Sequence, residues 1–259
     1  MKVSIITVVY NNNKTIKEAI SSVQKQSFKN VEHIIVDGGS TDGTIDAIKA
    51  SIDKKTVFIS EKDNGLYDAL NKGIKLATGD IIGILHSDDL FNSTEVISNI
   101  VDVFYKNKVD SVYADLVYVN RQNCDKIVRN WKSGDFSKSK FLLGWMPPHP
   151  TFFVKKEIFS KYGAYDTNFR SAADYELMLR LLYKNNISTY YIQKTLVRMR
   201  QGGESNKSIR NRLKANHEDY KAWQKNNLSP STYFRVLKPL IKIPQFLTFS
   251  GFKRVTISS

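Results

Sequence analysis

Several things are scarce in this chain, and each scarcity narrows what it can be. Cys124 is the only cysteine among 259 residues, so no internal disulfide forms and a reducing compartment is expected. No apolar run approaches the roughly 20 residues that a membrane-spanning helix needs. The run from Val3 to Tyr10 is short, lacks a small-residue cleavage site and passes straight into Asn11-Asn12-Asn13. It does not read as a signal peptide. There is no internal repeat and no low-complexity linker. Acidic side chains are outnumbered, 25 against 39 Lys and Arg, and the imbalance is local. Residues 184–259 carry 15 basic residues against Glu204, Glu218 and Asp219, whereas residues 1–183 carry 24 basic and 22 acidic ones. A basic end on a near-neutral body points to a polyanionic partner such as lipid headgroups, nucleic acid or a phosphorylated substrate.

What is present describes a globular α/β chain. Hydrophobic content of 41% and 29.6 kDa fit one such domain with an appendage. Val3 to Tyr10 is a β-branched run of the kind covered on both sheet faces. A helix follows with Ile16, Ala19, Ile20 and Val23 on one side, ending near Ser27. Val31 to Val36 is a second strand, Ile45, Ile48 and Ile52 mark a helix, and Thr56 to Ser60 is a third strand. Leu66, Ala69, Leu70, Ile74 and Leu76 mark the next helix. This alternation predicts a parallel, doubly wound sheet. Further on, a helix is expected over 93–105 and a strand pair of mixed direction over 110–119 and 126–131. An irregular apolar stretch spans 141–150. After it come a strand over 151–154, a helix over 173–183, short strands at 190–192 and 196–200, and a basic helix over 208–224.

The stretch that organises these elements runs from Thr78 to Asp89. Ile81 to Leu85 reads as a buried strand that ends in His86, Ser87, Asp88 and Asp89. Ligands of open α/β sheets bind beyond the carboxyl ends of the strands. Adjacent carboxylates there repel unless a cation or donors intervene, and oxygen ligands of this kind suit Mg²⁺ or Mn²⁺ shared with substrate phosphates. A solvated turn that caps a helix near Asn92 is the plain alternative. Beyond Pro230, apolar Tyr233, Phe234, Leu237, Leu240, Ile241, Phe246 and Phe249 alternate with Arg235, Lys238 and Lys242. That pattern fits a segment lying on an anionic membrane surface. Packing on the sheet or on a second copy in a homodimer explains it equally, and Pro239 and Pro244 forbid one smooth helix.

Several strings together resemble a known family. They are Val3-Ser4-Ile5-Ile6-Thr7-Val8-Val9-Tyr10-Asn11, Ile35-Val36-Asp37-Gly38-Gly39-Ser40-Thr41-Asp42-Gly43-Thr44, Asp63-Asn64-Gly65-Leu66-Tyr67-Asp68-Ala69 and His86 to Asp89. His149-Pro150-Thr151-Phe152-Phe153 and Ser171-Ala172-Ala173-Asp174-Tyr175-Glu176-Leu177 complete the set. They resemble family 2 glycosyltransferases of the GT-A fold, of the non-processive bacterial kind that builds surface polysaccharide. The resemblance covers about residues 1–205. It implies a Rossmann-like, mostly parallel sheet flanked by helices, with a nucleotide-sugar part over about 1–110 and an acceptor part over 111–205. Residues 206–259 would then form a basic helical extension with an amphipathic tail.

The resemblance also implies roles. Asp88 matches the last aspartate of the Asp-X-Asp motif and would hold the metal, with His86 where the first aspartate usually stands. Ser87 and Asp89 flank it as donor contacts. Asp37 matches the aspartate that contacts the nucleotide base, with Thr7, Val9 and Tyr10 flooring that pocket and Asp68 and Lys72 on the donor side. The plain alternative for Asp37 is a cap on the turn into the next helix. Asp174 matches the general base of an inverting transfer, although Ala173 precedes it where the family has Glu. His149, Arg198, Arg200 and Gln201 are placed toward the acceptor and a loop over the diphosphate. No Gln-X-X-Arg-Trp motif is present, which implies single-sugar addition. The implied partners are a nucleotide-sugar donor, UDP-linked by the commonest choice, and a glycan or lipid-linked acceptor. No nucleic acid is expected, because the basic charge avoids the strand ends where the carboxylates lie. The expected location is the cytoplasm, peripherally on the inner face of the plasma membrane. Gly38 to Gly43 lacks the G-x-G-x-x-G spacing of a dehydrogenase. A sugar nucleotidyltransferase would carry a basic glycine-rich loop where Asn11-Asn12-Asn13 stand. An inactive homologue acting as a scaffold is kept open by His86 and Ala173.

Overall fold

The computed structural model describes residues 1–202 and 209–231, with 209–215 by backbone alone. The amphipathic tail and the expected loop through Gly203, Glu204 and Ser205 lie outside the described residues. Strands β1 (Val3–Val9), β2 (Val31–Asp37), β3 (Thr56–Ser60) and β4 (Ile81–Ile84) alternate with helices α1 (Ile16–Gln24), α2 (Thr44–Lys49) and α3 (Leu66–Leu76). They line up as β3-β2-β1-β4, all parallel. β1 is buried along its whole length, and its alternation explains why no polar period shows. Ile6 and Val8 pack with Ala69, Leu70 and Ile74 of α3 on one face. Val3 and Ile5 pack on the other face with Ile97, Ile100 and Phe104 of α4 (Val96–Asn107), and Val9 joins Ile16, Ile20, Ala47 and Ile48 there. A strand apolar on both sides is the expected signature of this layering.

Past β4 the sheet changes direction. β8 (Phe153–Lys155) pairs antiparallel with β4 and with β6 (Ser111–Val119), and β9 (Thr189–Arg200) runs parallel to β6. β5 (Leu90–Phe91) closes the edge against β9, and β7 (Ile127–Trp131) pairs antiparallel with β6, which is the expected mixed pair. Gly83 lets this junction close: a Cβ there would fall inside the Phe153 ring, which lies across β4. The sheet is therefore parallel in its first half and mixed in its second.

Some local expectations shift. The two short strands at 190–192 and 196–200 are one strand. Ile192 pairs with Ala114 and Thr195 with Asp115, so Gln193 and Lys194 bulge outward, both exposed. That polar insertion interrupts the apolar pattern without interrupting the ladder. The strand expected over 151–154 begins later, because Thr151 ends a 3₁₀ turn (His149–Thr151) and hydrogen-bonds through Oγ1 to the carbonyls of Pro148 (2.8 Å) and Ala114 (2.9 Å). Two helices went unanticipated: α5 (Lys138–Leu142), which runs into the start of the irregular stretch, and α6 (Lys156–Tyr162). The helix over 173–183 is α7 (Ala173–Met178), which continues as a π-helical segment to Lys184. α8 (Ile209–Lys225) packs its C-terminal half on α7 through Ala222 and Trp223, both fully buried.

Candidate active site

The parallel strands β1, β2 and β4 end at one edge, and the loops beyond them are tied together. Asn11 takes a left-handed conformation (φ 46°), donates its N–H to Ser40 Oγ (2.8 Å) and accepts from Thr41 N–H (2.8 Å). Asn12 donates to Ser87 Oγ (3.0 Å), and Thr15 donates to the Ser87 carbonyl (3.0 Å). The polar triplet after β1 is therefore the fastener between three strand ends. At β2, Asp37 is fully buried and accepts from Gly39 N–H and Ser40 N–H (3.0 Å each), Ser60 Oγ (2.7 Å) and Ser40 Oγ. Its carboxylate caps the turn that follows.

At the end of β4 the two aspartates diverge. Asp88 is half-buried, and no hydrogen bond or ion pair among the described residues engages its carboxylate. Its carbonyl accepts from Arg200 Nη1 (2.6 Å). Asp89 is 1% exposed and accepts the Arg200 backbone N–H on Oδ1 (3.2 Å), while Oδ2 has no partner. Burial, and then the neighbouring Asp88 charge, push its carboxyl well above the usual range. Arg200 is itself 2% exposed and reaches Glu18 Oε2 of α1 (2.5 Å) with its other nitrogen. It holds the Asp88–Asp89 turn against the helix.

His86 and Asp174 meet through a third residue. His86 Nε2 lies 3.1 Å from His149 Nε2, with the rings edge-to-face. His149 Nδ1 lies 3.2 Å from Asp174 Oδ2, and Tyr67 donates its hydroxyl to Asp174 Oδ1 (3.3 Å). Burial pushes both imidazoles down to about 4, so they are neutral at neutral pH. The facing carboxylate favours the proton on His149 Nδ1, which leaves Nε2 to accept from His86. Tyr67 stacks on Tyr165 (5.5 Å between centroids), and burial followed by the Asp174 charge raises both phenols. The result is a continuous path, Tyr67–Asp174–His149–His86, that ends two residues before Asp88.

The other predicted residues sit apart from this path. Thr7 is buried and bonds His33 Nε2 (2.9 Å), Val9 packs in the core, and Tyr10 is 65% exposed at the strand end. Lys72 pairs with Glu61 (2.8 Å) and Asp68 (3.6 Å), and Asp68 accepts Asn64 N–H (3.0 Å). Arg198 donates to Asn92 (2.8 Å) and Asp125 (3.1 Å) on the β5 side. Gln201 is exposed and donates its N–H to the Val119 carbonyl (3.0 Å). Sequence reasoning passed over Tyr67 and Glu18. Tyr67 lay inside a quoted string, in a helix read only for its aliphatic face, and Glu18 carried no signal at all. No group of three or more His, Cys, Asp or Glu among the described residues is arranged to enclose a metal. Magnesium and manganese sites shared with phosphates need only one or two protein carboxylates, and the unengaged Asp88 carboxylate fits that donor set.

Known proteins resemble this chain in sequence and in fold. The profile described as glycosyl transferase family 2 matches residues 4–163. An uncharacterised glycosyltransferase of Mycobacterium tuberculosis is 33% identical over 184 residues, 69% of this chain and 68% of that one. A PGL/p-HBAD biosynthesis glycosyltransferase of Mycobacterium bovis is 26% identical over 208 residues, 78% of each chain. Among solved structures, a mannosyltransferase of Pyrobaculum calidifontis in complex with GDP-Man and Mn²⁺ superposes with a TM-score of 0.66 at 18% identity, covering 91% of this chain and 68% of its own. S. aureus TarS (1–349) in complex with UDP-GlcNAc superposes at 0.68 with 19% identity, over 87% and 65%. The fold is that of GT-A glycosyltransferases.

Proposed function

Because this chain belongs to glycosyl transferase family 2, we propose that it moves one sugar, with inversion, from a nucleotide-sugar donor to a hydroxyl of a lipid-linked or nascent surface glycan. The reading rests on one observation: Asp174 is joined through His149 and His86 to the strand end that carries Asp88. A proton acceptor and a carboxylate suited to a diphosphate-bound metal would thus stand at one strand end, linked by the two histidines. The acceptor oxygen attacks the anomeric carbon, its proton passes to Asp174, and the bond to the diphosphate breaks with its electron pair on the leaving oxygen. Asp88 would hold Mn²⁺ or Mg²⁺, whose charge offsets that of the departing diphosphate. Tyr67 and His149 orient the base. Arg200 fixes the Asp88 peptide, and Asp37 shapes the nucleotide end by fixing the turn after β2. UDP- and GDP-sugars are the first donors to try, since one neighbour binds UDP-GlcNAc and the other GDP-Man.

The acceptor side of the proposal draws on the relative named for PGL/p-HBAD biosynthesis and on the basic C-terminal region. Work at the cytoplasmic face of a membrane, with residues 206–259 as the contact to anionic lipid, is consistent with both. No helix among the described residues is long and apolar enough to cross a membrane.

The test is a thermal-shift panel of UDP-, GDP- and dTDP-sugars with and without Mn²⁺, on the native chain, Asp88→Ala and Asp174→Asn. A ligand at 100 times its Kd adds roughly 2.7 kcal/mol, or about 5–10 °C at this size. One nucleotide should give a metal-dependent shift that Asp88→Ala loses and Asp174→Asn keeps, while Asp174→Asn abolishes transfer. Full turnover by Asp174→Asn would refute the base assignment.

A further inference from the structure

We infer that α8 is a positioning element for the base, with Glu218 and Trp223 as its working residues. This rests on the assignment of Asp174 as that base. Asp174 is the second residue of α7, a six-residue helix whose preceding residue, Ala172, makes no side-chain cap. Asp174 lies in the first, uncapped turn of the helical run that continues to Lys184, so its position depends on what holds the residues just before and after it. The support comes from α8. Glu218 accepts Ser171 N–H (2.8 Å) and the Ser171 hydroxyl (3.0 Å) on one oxygen and Arg170 N–H (3.4 Å) on the other. Just beyond Asp174, the Trp223 indole donates to the Tyr175 hydroxyl (2.9 Å), and Asn226 donates to Glu176 (3.0 Å). Lys225 pairs with Asp166 in the same connecting segment.

The ties fall on both sides of Asp174: residues 170 and 171 before it, 175 and 176 after it. Positions 218 and 222 share one stripe of α8 with 219 and 223 beside them, and Asn226 extends it one residue past the helix end. On that stripe Asp219, Ala222, Trp223 and Asn226 are all buried. Two of the four are polar, so the contact is specified by hydrogen bonds as well as by apolar area. Tyr175 is 1% exposed and Trp223 fully buried, so their hydrogen bond is shielded from water. The base is held from one side by Tyr67 and His149 and from behind by α8. Both α7 and α8 lie beyond residues 4–163, the span that matches the family profile. In this chain, then, the extension that carries much of the positive charge also sets the geometry of the base.

The experiment measures nucleoside diphosphate release, with Mn²⁺, from the donor sugar that the thermal panel selects. It compares the full chain with Glu218→Ala, Glu218→Gln, Trp223→Phe and Asp174→Asn. Misplacing a reacting group by about an ångström costs up to roughly 100-fold. Glu218→Ala should therefore lose about 10- to 100-fold in kcat while the donor KM stays within about twofold. Glu218→Gln keeps an acceptor for Ser171 N–H and should recover most of that loss. Trp223→Phe keeps the ring in the core and should show the same split if Glu218→Ala folds poorly. Native kcat in Glu218→Ala and Trp223→Phe would overturn the inference. So would a loss in which KM rises in step and Glu218→Gln does no better than Glu218→Ala. If those variants are native while Asp174→Asn is dead, only the positioning role falls; if Asp174→Asn turns over normally, the base assignment itself falls.

Discussion

Glu32 offers a quantitative test of the sheet at the end away from the site. It sits near the start of β2 with a side chain 9% exposed and accepts five hydrogen bonds. Lys2 Nζ donates at 2.6 Å, Ser4 Oγ at 2.5 Å, Thr78 N–H at 2.5 Å, Thr78 Oγ1 at 2.6 Å and Gly79 N–H at 3.1 Å. Burial alone would raise its pKa, but the donors outweigh burial and bring it from 4.5 to about 2. A folded pKa below the unfolded one means stability that is fully present above about 4.5 and lost as pH falls toward 2. At 1.36 kcal/mol per pH unit the ceiling is about 3.4 kcal/mol. Lys2 is 37% exposed, so solvent screens part of this, and about 2 kcal/mol is expected. The assay is urea unfolding of the native chain and Glu32→Gln between pH 6 and pH 2.5. Protonated Glu32 resembles the amide in its donors and acceptors, so the stability gap between the two proteins should shrink by about 2 kcal/mol on acidification. A gap that stays constant with pH would refute the reasoning. Asp37 lies five residues further along the same strand, about 16 Å away at 3.3 Å per residue. Turnover per folded molecule should therefore be unchanged in Glu32→Gln.

Two further outcomes follow from the packing and the site. Gly83→Ala drives a methyl into the Phe153 ring, and overpacking of about 3 kcal/mol or more should lower Tm by roughly 6–12 °C. Adding Phe153→Leu should restore part of that, and an unchanged Tm in the single variant would show that β4 and β8 are not packed as described. His149→Ala removes the ring between His86 and Asp174 and should lower kcat about 10- to 100-fold with donor KM nearly unchanged. Native kcat in that variant would detach His149 from the mechanism.

Much of this was legible because the relevant physics is local. The near-continuous β-branched run of β1 announces a strand with helices on both faces, and both faces are filled. Strand-end carboxylates announce themselves as the point where an apolar run stops. The bulge in β9 was misread for an equally physical reason: two exposed polar residues, Gln193 and Lys194, break the periodicity while Ala114 and Asp115 keep the pairing. Tyr67 was assigned to a helix whose aliphatic residues explained it completely, and its hydroxyl goes to a carboxylate 107 positions away. No periodicity reports a contact of that kind.

His86 shows what the sequence cannot weigh. Read alone, a histidine in place of the motif's first aspartate weakens the case for a site, because it removes a metal-type ligand. The sheet order changes that judgement. β4 is followed in space by β8, and the 3₁₀ turn just before β8 brings His149 to within 3.1 Å of His86 and 3.2 Å of Asp174. A carboxylate at position 86 would stand near Asp88 and face the His149 ring that contacts Asp174, adding a third like charge in a poorly solvated place. A neutral imidazole instead donates to His149 and leaves that ring's other nitrogen for Asp174. The substitution therefore exchanges repulsion for a hydrogen-bonded link from Asp174 to the strand end that carries Asp88. That exchange becomes visible only when residues 63 and 25 positions apart are seen to meet.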